Sequence, residues 1–233
     1  MVSKKERSES DNTLSKQDLR KFSILKALSD GELGELRKSI IFKKLKTDEI
    51  LFLRGESTKA LYFVLSGWLK AEKTSREGRQ QTLRFVGPGE IINELSVFSN
   101  SPNSVNVIAM EDALIFSISQ EAVEQMLVQS PAFSREVIEN LAGRIEHLLN
   151  HIENLSLYPV EVRLARFLLE EAEDGLLERP PWKTQEEIAA QLGTVMDVIN
   201  RQLQKFAKGG YISVERNRIK IINQTELEKI ADG

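Results

Sequence analysis

The chain has 233 residues, 41% apolar and 29% charged, the balance of a soluble globular protein of one or two domains. Its 32 Lys and Arg against 35 Asp and Glu leave a net charge of −3, which argues against non-specific nucleic-acid binding by the chain as a whole. No cysteine is present, so disulfides, thiolate iron–sulfur clusters, cysteine zinc sites and thiol switches are excluded together.

The apolar run Leu61-Tyr62-Phe63-Val64-Leu65 falls far short of the ~20 residues a membrane span needs. Lys4, Lys5, Glu6 and Arg7 have no apolar segment behind them, so no secretory signal is visible. The chain reads as cytoplasmic, with no membrane partner. Residues 1–16 are polar and predict a disordered arm. A short helical pattern follows, with Leu25 and Leu28, then Leu33 and Leu36 after a Ser29-Asp30-Gly31 start signal.

From Ser39 to Ser119 the texture is that of strands. Ile40–Phe42, Ile50–Leu53, Leu61–Leu65, Thr82–Val86, Val105–Ala109 and Leu114–Ile118 are short and apolar, separated by turns such as Gly87-Pro88-Gly89 and Ser101-Pro102-Asn103. This spacing predicts a sandwich or barrel over residues 17–129. The period then switches. After Ser130-Pro131, Ile138, Leu141, Ile145, Leu148, Ile152 and Leu155 recur at spacings of 3, 4, 3, 4 and 3, the seam of a two-helix coiled coil. This helix, expected over residues 130–158, predicts a homodimer interface; it stops at Tyr158-Pro159.

Residues 159–233 read as a compact helical module with a small hairpin. Thr184-Gln185-Glu186-Glu187 is a capping box in which Thr184 accepts from the Glu187 N–H and Glu187 reaches back. Ile188, Ala189 and Leu192 form the apolar side of a short helix, Gly193 allows a tight turn, and Thr194 can cap a second helix. There Ile199, Leu203 and Phe206 point inward, while Met196, Asp197, Asn200, Arg201 and Gln204 share the opposite face. A hairpin of Tyr211–Val214 and Ile219–Ile222 turns through Arg216-Asn217-Arg218. Lys183 to Lys220 holds seven cations against four anions, a local positive stretch in an acidic chain. Two short helices about a glycine turn with a basic hairpin make the winged helix-turn-helix pattern, and the expected partner is double-stranded DNA. The alternative is a ligand-binding or interaction module whose helix-turn-helix no longer binds DNA. An enzyme is not expected: the strand-rich stretch holds no histidine for a metal, and no Gly-rich phosphate loop or nucleophile elbow stands out.

The order of strand-rich domain, long helix and winged helix resembles the transcription regulators related to the cyclic AMP receptor protein and the fumarate–nitrate regulator, the Crp/Fnr family. The resemblance covers about residues 20–233. It rests on Leu51-Phe52-Leu53-Arg54-Gly55-Glu56, Leu61–Gly67 and Gly87-Pro88-Gly89-Glu90-Ile91-Ile92-Asn93-Glu94-Leu95, and on Thr184–Ala189, Leu192-Gly193-Thr194 and Asp197-Val198-Ile199-Asn200-Arg201. It implies an α+β chain: an N-terminal cyclic-nucleotide-binding-like β-barrel (jelly roll) as sensor, a long dimerisation helix and a C-terminal winged helix-turn-helix.

The resemblance also places an effector pocket at Asn93, Glu94, Leu95, Asn103, Ser104, Leu148 and Leu149. Members that bind cyclic AMP carry a Gly-Glu pair followed by an Arg-Ser pair, and two hydroxyl residues on the long helix. Here the pairs are Asn93-Glu94 and Asn103-Ser104, and the helix positions are Leu148 and Leu149. Asn offers a phosphate only a neutral dipole, so cyclic AMP is not the expected effector, and Glu94 is expected to cap barrel amides. The iron–sulfur branch needs cysteines that are absent. Haem remains open through His147 and His151, but the heptad frame puts His147 at c and His151 at g, which reads as solvated helix flank. The effector is therefore an unidentified small molecule, and RNA polymerase joins the expected partners. On the DNA side, the resemblance makes Asp197 and Arg201 base readers. Asp197 is one methylene shorter than the family's usual Glu, so it either reaches a base or holds Arg201 in place. Thr184, Gln185, Arg216 and Arg218 would hold the phosphate backbone.

Overall fold

The computed structural model describes residues 14–233 except residue 79. Residues 1–13 of the expected arm lie outside the described ones; Leu14 is already buried and Ser15 caps the first helix. In chain order the elements are α1 (Lys16–Leu19), a 3-10 turn (Ser23–Leu25), α2 (Asp30–Lys38), β1 (Ile41–Leu45), β2 (Ile50–Phe52), β3 (Ala60–Ser66), β4 (Leu69–Thr74), β5 (Gln80–Val86), β6 (Ile91–Ile92), α3 (Glu94–Ser99), β7 (Asn106–Ala109), β8 (Ala113–Ser119), α4 (Gln120–Gln129) and α5 (Pro131–Leu157). The C-terminal part adds α6 (Val160–Glu171), β9 (Leu176–Glu178), α7 (Gln185–Gln191), α8 (Met196–Lys208), β10 (Ile212–Val214), β11 (Arg218–Ile221) and α9 (Gln224–Asp232).

The chain divides into two compact units: residues up to Leu69 with Val86–Ala142, and Lys70–Phe85 with Gly143–Gly233. The strand-rich stretch forms four-stranded sheets of order β1-β8-β3-β6, within the first unit, and β2-β7-β4-β5. The arrangement is jelly-roll-like and not a closed barrel. Its core centres on three phenylalanines: Phe63 and Phe116 stack at 4.5 Å, and Phe22 stands edge-on to both at 5.1 and 5.3 Å. Phe22 follows a helix that begins with a capping box, Ser15 with Asp18; the same device, Ser29 with Glu32, starts α2 as its sequence signal predicts. Phe133 and Val137 bury the first turns of α5 against this core.

The second unit is built on Leu164, Leu168, Ile188, Ile199, Leu203, Phe206, Ile219 and Leu227. Its three-stranded sheet has the order β10-β11-β9, with Ile212 opposite Ile221 and Arg218 opposite Glu178. The third strand, β9, is one residue past Asp174-Gly175, a dipeptide with positive φ at both positions that reverses the chain after α6. Residues 70–85 belong to this unit. The α+β class and the order of elements follow the sequence reading.

Candidate nucleic-acid interface and effector site

The helix pair α7 and α8 is set by a short list of contacts. Thr184 Oγ1 accepts from the Glu187 N–H at 3.2 Å, which closes one half of the expected capping box. The other half does not form. Glu187 turns away to Lys70, whose Nζ lies 2.7 Å from its Oε1. Gly193 makes the turn at φ +64°, where a side chain would be strained. Thr194 does not cap α8: the N-cap residue is Val195, without a side-chain hydrogen bond, and the Thr194 N–H donates to Ala189 O at 2.9 Å.

Along α8 the two faces separate as predicted. Ile199, Leu203 and Phe206 are buried, whereas Met196, Asp197, Arg201 and Gln204 are exposed and Asn200 is half-buried. Val195, 62% exposed, extends that outer face at its N-terminal end and was not singled out from sequence. Asp197 and Arg201 form no ion pair with each other among the described residues, and both are exposed.

The wing is the β10–β11 turn. Glu215 N–H donates to Arg218 O, and Arg218 Nε pairs with Glu215 Oε2 at 2.8 Å; Arg216 and Arg218 are both exposed. Arg179 holds this tip: its Nη2 donates to Arg216 O at 2.9 Å and its backbone N–H to Asn217 O at 2.8 Å. Not every cation of the positive stretch is available. Lys183 is buried with Nζ 2.5 Å from Glu171, and Lys205 pairs with Glu161 at 2.7 Å.

On α5 the coiled-coil positions Ile138, Ile145, Leu148 and Ile152 are exposed large apolar side chains, with Leu155 at the exposed margin. Leu141 departs from the expected seam, being half-buried against the core of the first unit. His147 is exposed as expected. His151 is not a solvated flank: it is half-buried, its Nε2 has no hydrogen-bond partner, and burial, reinforced by His147 and Arg163, pushes its pKa down.

The expected effector residues are a mixed set. Asn93 sits in the left-handed region at φ 79° as N-cap of α3, and its Nδ2 donates to Thr58 O at 3.0 Å and Ala60 O at 2.9 Å. Asn103, 2% exposed, donates from Nδ2 to Thr58 Oγ1 at 2.9 Å, while its Oδ1 is buried without a hydrogen-bond partner. Glu94 is buried and Ser104 half-buried. Leu95 points outward at 58% exposure, and Leu148 and Leu149 are exposed.

Residues 42–130 match the family described as the cyclic nucleotide-binding domain, and residues 162–230 match the Crp-like helix-turn-helix domain. The two matched regions fall on the strand-rich part and on the winged module. The chain belongs to the Crp/Fnr family of transcription regulators. Over 219 residues it is 26% identical to the CRP-like cAMP-activated global transcriptional regulator of Mycobacterium tuberculosis, which spans 91% of this chain and 98% of that protein. It is also 26% identical over 211 residues to the fumarate and nitrate reduction regulatory protein of Escherichia coli, covering 88% and 84%. FixK2 from Bradyrhizobium japonicum shares the fold at TM-score 0.72 and 20% identity, over 82% of this chain and 96% of that one. A CooA variant from Carboxydothermus hydrogenoformans does so at 0.71 and 24%, over 85% and 90%.

As a Crp/Fnr chain it is a regulator, not an enzyme. For a cyclic nucleotide, the residues at the family's pocket positions fit poorly. None of Asn93, Asn103, Leu148 and Leu149 carries a cation or a hydroxyl. The buried Asn103 Oδ1 would set an acceptor against a phosphate oxygen. Both asparagine amides are already spent on the Thr58–Ala60 backbone and hydroxyl.

Proposed function

We propose that this Crp/Fnr regulator acts in the cytoplasm as a homodimer that binds an inverted-repeat DNA site, under control of an effector other than cyclic AMP. The observation that carries the reading is the division of α8. A helix that buries Ile199, Leu203 and Phe206 while exposing Met196, Asp197, Arg201 and Gln204 keeps groups able to read bases on the one side not needed for its own fold.

In a major groove, Arg201 can donate a bidentate pair to guanine O6 and N7, and Asp197 can accept from cytosine N4. Asn200 suits adenine, and Met196 a thymine methyl group. Thr184 and Gln185 at the start of α7, with Thr194 at the turn, stand where sugar and phosphate would pass, and Arg216 and Arg218 reach along the backbone from the wing. The exposed α5 seam supports pairing of two chains, because burying Ile138, Ile145, Leu148 and Ile152 removes apolar surface from water on both sides at once. A dyad between the two reading helices sets half-sites about one helical turn apart. A neutral or apolar small molecule suits the asparagine-lined pocket positions better than an anion, and RNA polymerase is the further partner of such a regulator.

Selection of bound sequences from random double-stranded DNA by the full chain tests the reading. The expected product is an inverted repeat with a G·C pair at symmetric positions of each half-site. Recovery of no preferred sequence would favour an interaction module without DNA readout.

A further inference from the structure

Residues 70–85, nearly all of β4 and β5, cluster with the winged module, and two of their side chains, Lys70 and Gln81, bond to α7. Lys70 is the centre. Its ammonium lies 2.7 Å from Glu187 Oε1 and 3.0 Å from Glu72 Oε2, with Lys70 and Glu72 both almost fully buried. Burial alone pushes the Lys70 pKa down, yet the pull of Glu187 and Glu72 outweighs it and the net direction is up. Three charges are seldom taken out of water unless their geometry is held closely.

The opposite end of α7 is gripped as well. A helix leaves its last carbonyls without partners. Here Gln81 Nε2 donates to Ala190 O at 2.8 Å, and Arg163 Nη1 donates to Leu192 O. The following turn has little room: a Cβ added at Gly193 would meet Leu155 Cδ2 at 2.7 Å and Gln81 Oε1 at 3.3 Å. Throughout, the outer face of α8 stays exposed, so the grip coexists with an open reading surface.

We infer that Lys70 and Gln81 are positioning residues of DNA readout, which fix α7 and the Gly193 turn and through them the angle at which α8 meets the bases. The inference rests on the DNA-binding reading above. It gives Glu187 its role: the carboxylate that sequence assigns to a helix cap is used to anchor the helix to β4.

The test uses the full chain and the double-stranded site it selects from random DNA, with Lys70→Met, Lys70→Arg, Gln81→Ala and Glu187→Gln variants. Lys70→Met and Gln81→Ala are expected to weaken binding by about tenfold, within the usual range of coupling between distinct elements. They should also shrink the preference for the selected site over single-base variants while leaving the salt dependence unchanged. A mere loss of folded protein lowers the active fraction and moves neither ratio. Lys70→Arg should restore most of the preference, and Lys70→Met combined with Glu187→Gln should be less than additive. Gln81→Ala keeps the test sound if Lys70→Met fails to fold. Undiminished base preference in Gln81→Ala, or a gain in affinity in either variant, would overturn the inference while the DNA-binding reading stands. A wild-type chain that selects no sequence would remove both.

Discussion

Asn103 ties the 53–58 loop down with both its side chain and its main chain: Nδ2 donates to Thr58 Oγ1 at 2.9 Å, and its N–H donates to Glu56 O at 2.8 Å. Gly55 N–H in turn donates to Asn103 O at 2.8 Å. A residue at the family's phosphate-binding position is thus an internal strut. Titration calorimetry with cyclic AMP is expected to show no binding at micromolar concentration. A submicromolar dissociation constant would show that the pocket finds its cation elsewhere.

The second strut, Asn93, separates backbone strain from hydrogen bonding. Asn93→Gly keeps the left-handed conformation at φ 79° but deletes two donors to Thr58 O and Ala60 O. Removing these donors from part-buried carbonyls costs about 1–3 kcal/mol, and Asn93→Ala should cost more because Ala also resists positive φ. Urea unfolding measures both; a Gly variant as stable as the wild type would deny the strut its role.

Much of this architecture was legible because local signals agreed with it. Ser29-Asp30-Gly31 marked the start of α2, Pro131 and Pro159 bracketed α5, and the apolar positions Ile199, Leu203 and Phe206 fixed the inner face of α8. What escaped was set by distant partners. β4 carries Lys70 and Glu72, charges whose burial has no local sequence signal, because Lys70 takes its second carboxylate from Glu187, more than a hundred residues on. Lys70 in turn draws Glu187 away from its capping box. β9 and α9 have short or ordinary patterns that become a strand and a packed helix only against β11 and α6. The role of Arg179 is not legible because its partners are carbonyls at the wing tip, which leave no trace in sequence.

Assembly is tested on α5. Substituting Ile145 and Leu148 together by Glu places four charges in one apolar contact of the proposed pair, and unpaired buried charges cost several kcal/mol. Light scattering should report a dimer for the wild type at micromolar concentration and a monomer for the double variant. A monomeric wild type would remove the seam as an interface.

His151 makes stability depend on pH. Burial, with His147 and Arg163 adding to it, lowers its pKa in the folded state, so the fold favours the neutral imidazole. The unfolded chain takes up the proton first as pH falls through the ordinary value of about 6.5, so this contribution is present above that pH and declines below it toward the folded value. His151→Gln should reduce the loss of melting temperature between pH 7 and pH 5 (about the range in which His titrates). An unchanged slope would place the titration elsewhere.

The wing offers a salt-dependent readout. Arg216→Ala should weaken all double-stranded sequences alike and flatten the slope of log affinity against log salt by about one unit. Arg218→Ala should do the same less strongly, since Arg218 shares its charge with Glu215 at 2.8 Å. A change of base preference in either variant would contradict a backbone-holding wing.

The most direct measurement is the affinity of Arg201→Ala for the selected site and for that site with each symmetric base pair changed. The account predicts a loss of roughly 1–3 kcal/mol on the selected site, with preference relaxed at one symmetric G·C pair and kept at the others. Unchanged affinity and unchanged base preference in a folded Arg201→Ala chain would contradict the assignment of α8 as the reading helix.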